Sequence, residues 1–331
     1  SETEGQVKLT AKHKGECGND IDLRLNYQGE ESPAGLELSI TFMSGGAGNP
    51  EAGDLIAALG SQQFHVIAWP WTDAAPLHHL KDEIDSRWGP LRQIDGQAIV
   101  VKTGSFSQVT TFAYSQNHKH LIVFPAEGSP TLPWVYASAL TAVIAYYAND
   151  DPARPFQTLT LPGVQAPAVG DRWSQFPEKN QALYEGVSTC GVNDAGQVMI
   201  LRAITTYRVN EWGAETRAYL DLNTLFTLSY LRYDWNNFMR LKYPRHKLAS
   251  DDESKRYGPN QPIMTPKLAR AEAIGRFAQW QRAGLVELPE DFADRLVVER
   301  DENDVTRLNI LMQPDLVNQF RICATQIRFL L

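Results

Sequence analysis

The chain has 331 residues, 43% of them hydrophobic and 21% charged, with a formal net charge of −8. This is ordinary globular composition, able to bury roughly 75% of the unfolded surface in two or three domains. The acidic balance argues against a general nucleic-acid binder, which needs a basic surface.

The first stretch reads as β structure. Val7, Leu9 and Ala11 alternate with Lys8, Thr10 and Lys12, and Ile21, Leu23, Leu25 and Tyr27 alternate with Asp22, Arg24 and Asn26. Leu36, Leu38, Ile40 and Phe42 alternate with Glu37, Ser39 and Thr41. The period of two predicts strands with one wet face, and the short Gly/Pro/Ser-containing loop between the last two runs predicts an antiparallel hairpin.

The pattern then changes. Asn49-Pro50-Glu51 supplies a capping side chain, a proline and a first-turn acid for a helix that Gly60 ends. Apolar runs follow at Phe64–Trp69, Ala98–Val101 and Leu121–Phe124. Helices are predicted after them, over about 73–88, about 106–115 and the uncharged stretch 128–149. Strands that are apolar throughout and alternate with helices predict a parallel sheet covered on both faces. Pro133, Ser138, Thr141 and the tyrosines dilute the uncharged stretch, so it predicts a buried helix with a small-residue face rather than a membrane span.

Residues 150–173 read as a Pro- and Gly-rich excursion, and 177–184 as a short helix. Residues 187–192 and 197–206 read as a hairpin turning at Asn193-Asp194-Ala195-Gly196. A long helix is predicted over 221–242, with Leu222, Leu225, Phe226, Ser229, Tyr233, Asn236 and Met239 or Arg240 on one face. Thr265-Pro266 starts a helix that Gly284 stops, and residues 296–300 and 306–312 flank a turn at Asp301–Asp304. At the end, Phe320, Ile322 and Ala324 alternate with Arg321, Cys323 and Thr325. That predicts a strand with an apolar face, covered by its own domain or by a neighbour. The fold class is α/β: a mostly parallel sheet with flanking helices, an N-terminal antiparallel β portion and a C-terminal α+β domain.

Candidate chemistry is thin. Met43–Pro50 holds a glycine-rich loop between strand and helix, yet it lacks the Lys-Ser/Thr of a phosphate loop and places Glu51 where a dinucleotide fingerprint needs its third glycine. His79 and Glu83 stand four apart near His78 and Asp82, and His118 and His120 share a strand start. No third metal ligand is placed for either set. There is no GxSxG elbow, and Cys190 on a predicted strand reads as a small core residue. Tyr243–Leu248 is a basic patch of the kind that suits a solvated loop or an acidic partner. Cys17, Cys190 and Cys323 are too few and too scattered for a disulfide framework and predict free thiols in a reducing compartment. The chain opens with Ser1, so a processed or truncated piece of a longer protein is expected. No cofactor and no metal is predicted.

Several stretches together resemble one family. Residues 9–22, LTAKHKGECGNDID, are similar to the AK-x-x-G-x-x-GNDI stretch of contractile phage tail sheath proteins, and MSGGAGNP at 43–50 resembles the Mu-like branch. So do YPRHKLA at 243–249, GPNQ at 258–261 and QPDLVNQ at 313–319. The resemblance runs from about Val7 to Leu331. It implies a structural protein that polymerises helically around a tail tube and contracts to drive the tube through the host envelope. It also implies a non-catalytic subtilisin-like α/β domain over 45–206, the end of a β-sandwich portion over 1–44, and a C-terminal domain with a linking strand over 207–331. Implied partners are copies of itself joined by strand addition, the tail tube protein, and baseplate and tail terminator proteins. Direct nucleic-acid contact and membrane insertion are not implied. The implied location is the virion tail, assembled in the host cytoplasm.

Family sheath proteins carry an N-terminal arm that this chain is expected to lack. The linking strand places Phe320, Ile322, Ala324, Ile327 and Phe329 at a subunit interface. Tube contact falls on the long helix or the basic patch after it, through Arg232, Arg240, Lys242, Arg245 or Lys247. The rival is an α/β hydrolase or nucleotide-binding enzyme using the Ser44–Asn49 loop. It requires a pocket at the carboxyl ends of the apolar strands with a nucleophile and base in hydrogen-bond reach. Another baseplate or tail structural protein is the third reading.

Overall fold

The computed structural model describes residues 5–27, 30–31, 33–35, 37–254, 256–258 and 260–328. Leu36 and Phe329–Leu331 therefore lie outside the described residues. The chain divides into two compact units, residues 1–147 with 156–222, and residues 148–155 with 223–331.

The first unit is mixed α/β around a small parallel sheet. Helix α1 (Ala52–Leu59) ends at Gly60, whose φ of 51° suits glycine. Strand β1 (Val66–Ala68) leads to α2 (Ala74–Trp88), β2 (Gln97–Lys102) to α3 (Phe106–Gln116), and β3 (Leu121–Pro125) to α4 (Pro133–Asp150). The strands lie side by side in chain order, all parallel, with Ala98 opposite both Ile67 and Leu121. A parallel bridge from Val123 to Val187 extends the edge. Ala98, Val100, Leu121 and Val123 pack with Leu77, Leu80 and Ile84 of α2 and Val109 and Ala113 of α3. Ile99, Ile122 and Phe124 point the other way and are equally inaccessible, so both faces are covered.

Local signals explain the helix ends. Ser105 accepts from Gln108 N–H while the Gln108 side chain accepts from Ser105 N–H, a capping box that starts α3. Asn117, left-handed at φ 39°, stops it. Helix α4 buries Tyr136, Ala137, Leu140 and Ile144 at three-and-four spacing but exposes Tyr146. It is half-buried, not enclosed as expected, because only one stripe of it is covered. Among the described residues no helix is long and apolar enough to cross a membrane. Helix α5 (Asn180–Tyr184) precedes strands β4 (Thr189–Val192) and β5 (Val198–Arg202), which form the expected antiparallel hairpin. Asn193 Oδ1 accepts from Ala195 and Gln197 N–H and closes the turn.

The expected N-terminal β portion is the main correction. Among the described residues before β1 there is no strand. Val7, Leu9, Leu25, Leu38, Ile40 and Phe42 are exposed. Alternation encodes a face, but a strand also needs a ladder partner, and no ladder pairs this segment among the described residues. The segment is instead pinned by side chains: Arg24 to Asp171 and to the Gly128 carbonyl at 3.2 Å, and Tyr27 Oη to the Ala166 carbonyl at 2.6 Å.

The second unit holds most of helix α6 (Leu222–Lys242). Strands β6 (Lys247–Leu248) and β7 (Ile263–Met264) pair in parallel around the short helix α7 (Asp251–Ser254). Helix α8 (Pro266–Arg282) begins at Thr265, whose hydroxyl accepts from Leu268 N–H. Strand β8 (Val286–Glu287), helix α9 (Pro289–Arg295) and strands β9 (Val297–Arg300), β10 (Leu308–Leu311) and β11 (Asp315–Leu316) follow. The β9–β10 hairpin turns where expected, with Asp301 Oδ1 accepting from Asn303 and Asp304 N–H. The core joins Leu231 of α6 to Ala273, Phe277 and Trp280 of α8 and Phe292 of α9. The Phe277 and Phe292 rings stack at 4.2 Å.

Candidate functional site

The carboxyl ends of β1, β2 and β3 test the enzymatic reading. A cavity of about 250 Å³ lies there, lined by His13, Cys17, Asp20, Asn49, Trp71 and Asp73 among others. Its polar groups are tied to one another. Thr103 donates to Asp20 at 3.0 Å, and Lys102 Nζ donates to Thr72 Oγ1 at 3.0 Å. Burial raises the Asp20 carboxyl, opposed by Thr103 and Lys102. The lysine gives its proton toward the hydroxyl oxygen, the reverse of base activation. Among the described residues no histidine ring is hydrogen-bonded to a hydroxyl or thiol.

The glycine-rich loop is likewise occupied by its own chain. Asn19 Nδ2 donates to the Gly46 carbonyl and Asn19 Oδ1 accepts from Gly46 N–H, both at 2.9 Å. A Cβ on Gly46 would lie 2.5 Å from the Gly15 carbonyl oxygen, and one on Gly15 2.8 Å from that of Gly48. Asn49 Nδ2 reaches Asp73 and Glu16 instead of capping α1. The loop's backbone is therefore locked against residues 15–19, with the Gly46 amide committed to Asn19. The two N-terminal sequence motifs are one interlocked structure.

The histidines also resolve into structure. His78 pairs with Asp82 at 3.1 Å, whereas Glu83 is held by Arg87 and Arg92 rather than by His79. Arg87 is fully buried and donates to the Gln62 and Gly60 carbonyls, tying α2 to the end of α1. His118 meets Asp85 at 3.1 Å, and His120 lies buried against Trp88 and Gln97. Burial pushes His120 down to about 3, helped by His118 and Lys119. Among the described residues no cluster of three metal-ligating side chains is present. Cys190 is buried beside Tyr136, and burial pushes its thiol up to about 12. Lys179 donates to the Cys190 carbonyl at 2.6 Å and pairs with buried Glu127 at 3.4 Å.

The surfaces expected to meet partners are arranged as follows. β11 pairs with β8, and Val317 N–H still donates to the Leu285 carbonyl at 3.1 Å. There the ladder stops, and among the described residues 318–328 no strand forms. Phe320, Ile322 and Ile327 are 74%, 83% and 91% exposed, and Ala324 is exposed too. The strand expected over this segment does not form, because nothing in the described chain pairs it.

On α6 the expected face is covered over the first half, where Leu222, Leu225 and Phe226 are buried, but farther along the inward side chains are Leu231, Asp234 and Trp235 while Tyr233 and Asn236 are exposed. Sequence reasoning missed the reason. Asp234 accepts from two of the three guanidinium nitrogens of Arg276, Nε and Nη2, and from Trp280 Nε1 at 2.6 Å. Arg232 is half-buried, Arg240 donates to Asn237, and Lys242 is neutralised by Glu272 at 2.8 Å. Arg245 is exposed. Lys247 Nζ donates to Gln261 at 3.0 Å, and Lys247 N–H to the Pro262 carbonyl. The YPRHKLA and GPNQ stretches thus meet in space.

Residues 45–206 match the phage tail sheath protein central domain, and residues 214–329 the phage tail sheath C-terminal domain. The chain is 44% identical over 326 residues to the Mu-like prophage FluMu tail sheath protein of Haemophilus influenzae. That match covers 98% of this chain and 66% of the relative, so the chain spans just under two thirds of its length. Among solved structures, the sheath tail protein of Desulfitobacterium hafniense superposes with a TM-score of 0.55 at 14% identity, covering 88% of this chain and 68% of that one. The sheath tail protein of Listeria innocua gives 0.59 at 11%, covering 87% and 62%. A chain of the anti-feeding prophage baseplate gives 0.56 at 10%, covering 84% and 71%. At such identities the likeness is one of fold.

Proposed function

The chain belongs to the phage tail sheath family, and on that premise we propose that it is a structural subunit of a contractile sheath. Copies polymerise helically around a tail tube, and a change of packing between them drives the tube through an envelope. The observation that carries the reading is the segment after β11. Its sequence has strand periodicity, its ladder ends at Val317, and its apolar side chains stand in solvent. An unpaired segment with this periodicity becomes a strand when a neighbour pairs with it through main-chain hydrogen bonds. Such links depend little on side chains and can hinge while staying connected, as a contracting lattice requires. Head-to-tail contacts of this type give open helical filaments.

On this reading Phe320, Ile322, Ala324, Ile327 and Phe329 lie at the subunit interface, although Phe329 is outside the described residues. Tube contact belongs to the basic residues around the end of α6, Arg232, Arg240, Lys242, Arg245 and Lys247. Lys242 is the weakest of these, since Glu272 already neutralises it. The finer division into 1–44, 45–206 and 207–331, and the subtilisin-like character of the middle part, belong to the same proposal. Parallel strands alternating with helices support that character. The remaining partners and setting are part of the proposal as well: tail tube, baseplate and terminator proteins, in a virion tail assembled in the host cytoplasm. The subunit is not an enzyme, a reading supported by the mutual pairing of polar groups at the strand ends.

The test is electron microscopy of the natural protein with and without residues 318–331. Long hollow cylinders are expected from the intact protein, and none from the deleted one. The deleted protein should keep the thermal transition of its α/β unit. Cylinders that survive the deletion refute the linking role, and ring-shaped assemblies point to a baseplate component instead.

A further inference from the structure

We infer that Trp212 is a knob that seats in a hole on a second copy of this chain, the cavity walled by residues 160–169. The inference rests on the sheath-subunit reading. Trp212 is 81% exposed, yet the turn that carries it is held on every side. Asn210 Oδ1 accepts from Trp212 and Ala214 N–H at 3.1 and 2.9 Å, and Asn210 N–H donates to the Ala214 carbonyl at 2.9 Å. Below the turn, Asn117 Oδ1 accepts from Arg208 and Val209 N–H, and Asn117 Nδ2 donates to the Val209 carbonyl. A large ring on a preordered turn loses little freedom when it binds. That property marks the few residues that dominate protein interfaces. The turn also falls between the two stretches matched to the sheath domains, at 45–206 and 214–329.

The hole has matching chemistry. It is a cavity of about 720 Å³ whose walls include Tyr27, Leu161, Pro162, Val164, Pro167 and Arg172. Proline rings, aliphatic walls and a guanidinium are the surfaces that an indole stacks on. The walls are fixed: Tyr27 Oη donates to the Ala166 carbonyl, Ser129 Oγ to the Gln165 carbonyl at 2.6 Å, and Arg172 Nε to the Pro167 carbonyl at 3.0 Å. Charges complement as well. Glu211 and Glu215 flank Trp212 on the turn, both exposed, and Arg172 lines the hole.

Direction identifies the occupant as a second copy. Asn117, which holds the knob, precedes β3, whereas Ser129 and Thr131, which hold Gln165 beside the hole, follow it. Knob and hole are tied to opposite ends of one strand. Knob of one copy in hole of the next is then a head-to-tail contact, which repeats without closing and builds a filament.

The test replaces Trp212 of the natural protein with a benzophenone amino acid and mixes isotope-labelled with unlabelled copies under light. Crosslinks from label to unlabelled chain should map to residues 160–172. Trp212→Ala should weaken association of copies by at least ~30-fold, the size of a truncated interface anchor. Arg172→Glu should weaken it too, and mixing it with Glu211→Arg copies should restore it. Cylinders whose benzophenone marks another surface, the same chain or a different protein overturn this contact and leave the sheath reading standing. Trp212→Ala copies that associate as tightly as wild type overturn this contact, and wild-type copies that do not assemble at all overturn both readings.

Discussion

Asn19 and Gly46 hold each other by two hydrogen bonds of 2.9 Å, the side-chain amide of one pairing with the backbone of the other as a strand neighbour would. The contact ties residues 15–19 to the loop before α1 without any ladder. Asn19→Ala removes both bonds at an exposed site and is expected to cost about 1 kcal/mol. Gly46→Ala drives a methyl toward the Gly15 carbonyl, whose oxygen would lie 2.5 Å away, and should cost more, about 2 kcal/mol. Urea midpoints read the order, and limited proteolysis within residues 45–50 should quicken in both variants. A Gly46→Ala protein as stable as wild type would show that the loop moves freely.

In the second unit, Asp234 satisfies Arg276 and the Trp280 indole at once. Removing it leaves a partly buried guanidinium and an N–H without their acceptor. Asp234→Ala is expected to destabilise by about 3 kcal/mol, and Asp234→Asn by less, since one acceptor oxygen survives. Chemical denaturation followed by tryptophan fluorescence measures it. Equal losses for the two variants would show that charge, not hydrogen bonding, dominates.

How far the sequence reached follows from these residues. The parallel strands were legible because a strand buried on both faces is apolar throughout, as in Ala98–Val101 and Leu121–Phe124. Gly60, Gly284, the 193–196 turn and the 301–304 turn were legible because their backbone needs particular residues. The covered face of the second half of α6 was not, although Leu222, Leu225 and Phe226 are buried as expected. Asp234 looks like a surface residue until Arg276, 42 positions away, supplies the charge that lets it turn inward. Buried Arg87 was hidden for the same reason, since its acceptors are the backbone carbonyls of Gly60 and Gln62. Alternation in 7–42 and 320–325 reported strand propensity but not whether a partner exists. Shared motifs carried what periodicity could not: the paired stretches 15–19 with 46–49, and 247 with 261, meet in space though each alone reads as a loop.

Acid should loosen the first unit through His120. Burial holds this imidazole at about 3, against 6.5 in an unfolded chain. Between those values the unfolded state binds a proton that the folded state refuses, so stability is full above pH 6.5 and falls as pH drops toward 3. The gap of 3.5 units sets an upper bound of about 5 kcal/mol. The Asp85 carboxyl is held low by His118 despite burial, so it adds a loss in the same direction at lower pH. Melting temperatures from pH 8 to 4 should therefore drop, and His120→Gln should flatten the slope around pH 6. An unchanged slope in that variant would assign the acid sensitivity elsewhere.

The three thiols should report on folding and assembly separately. Cys190 is buried and pushed up to about 12, so it should resist thiol reagents until the first unit unfolds. Cys323 is exposed on the unpaired segment after β11 and should react fast in the free chain. A neighbour's strand laid along residues 320–328 fixes Cys323 between cross-strand side chains, which hinders a reagent's approach to the sulfur even on the face opposite Ile322 and Ala324. In assembled cylinders the Cys323 rate is therefore expected to fall by at least ~10-fold, while Cys190 stays silent in both states. Mass spectrometry after timed alkylation of free and assembled protein reads each site. Protection of Cys323 that appears only with assembly supports a shared strand. A Cys323 that reacts equally fast in both states would mean that the linking contact lies elsewhere on the chain.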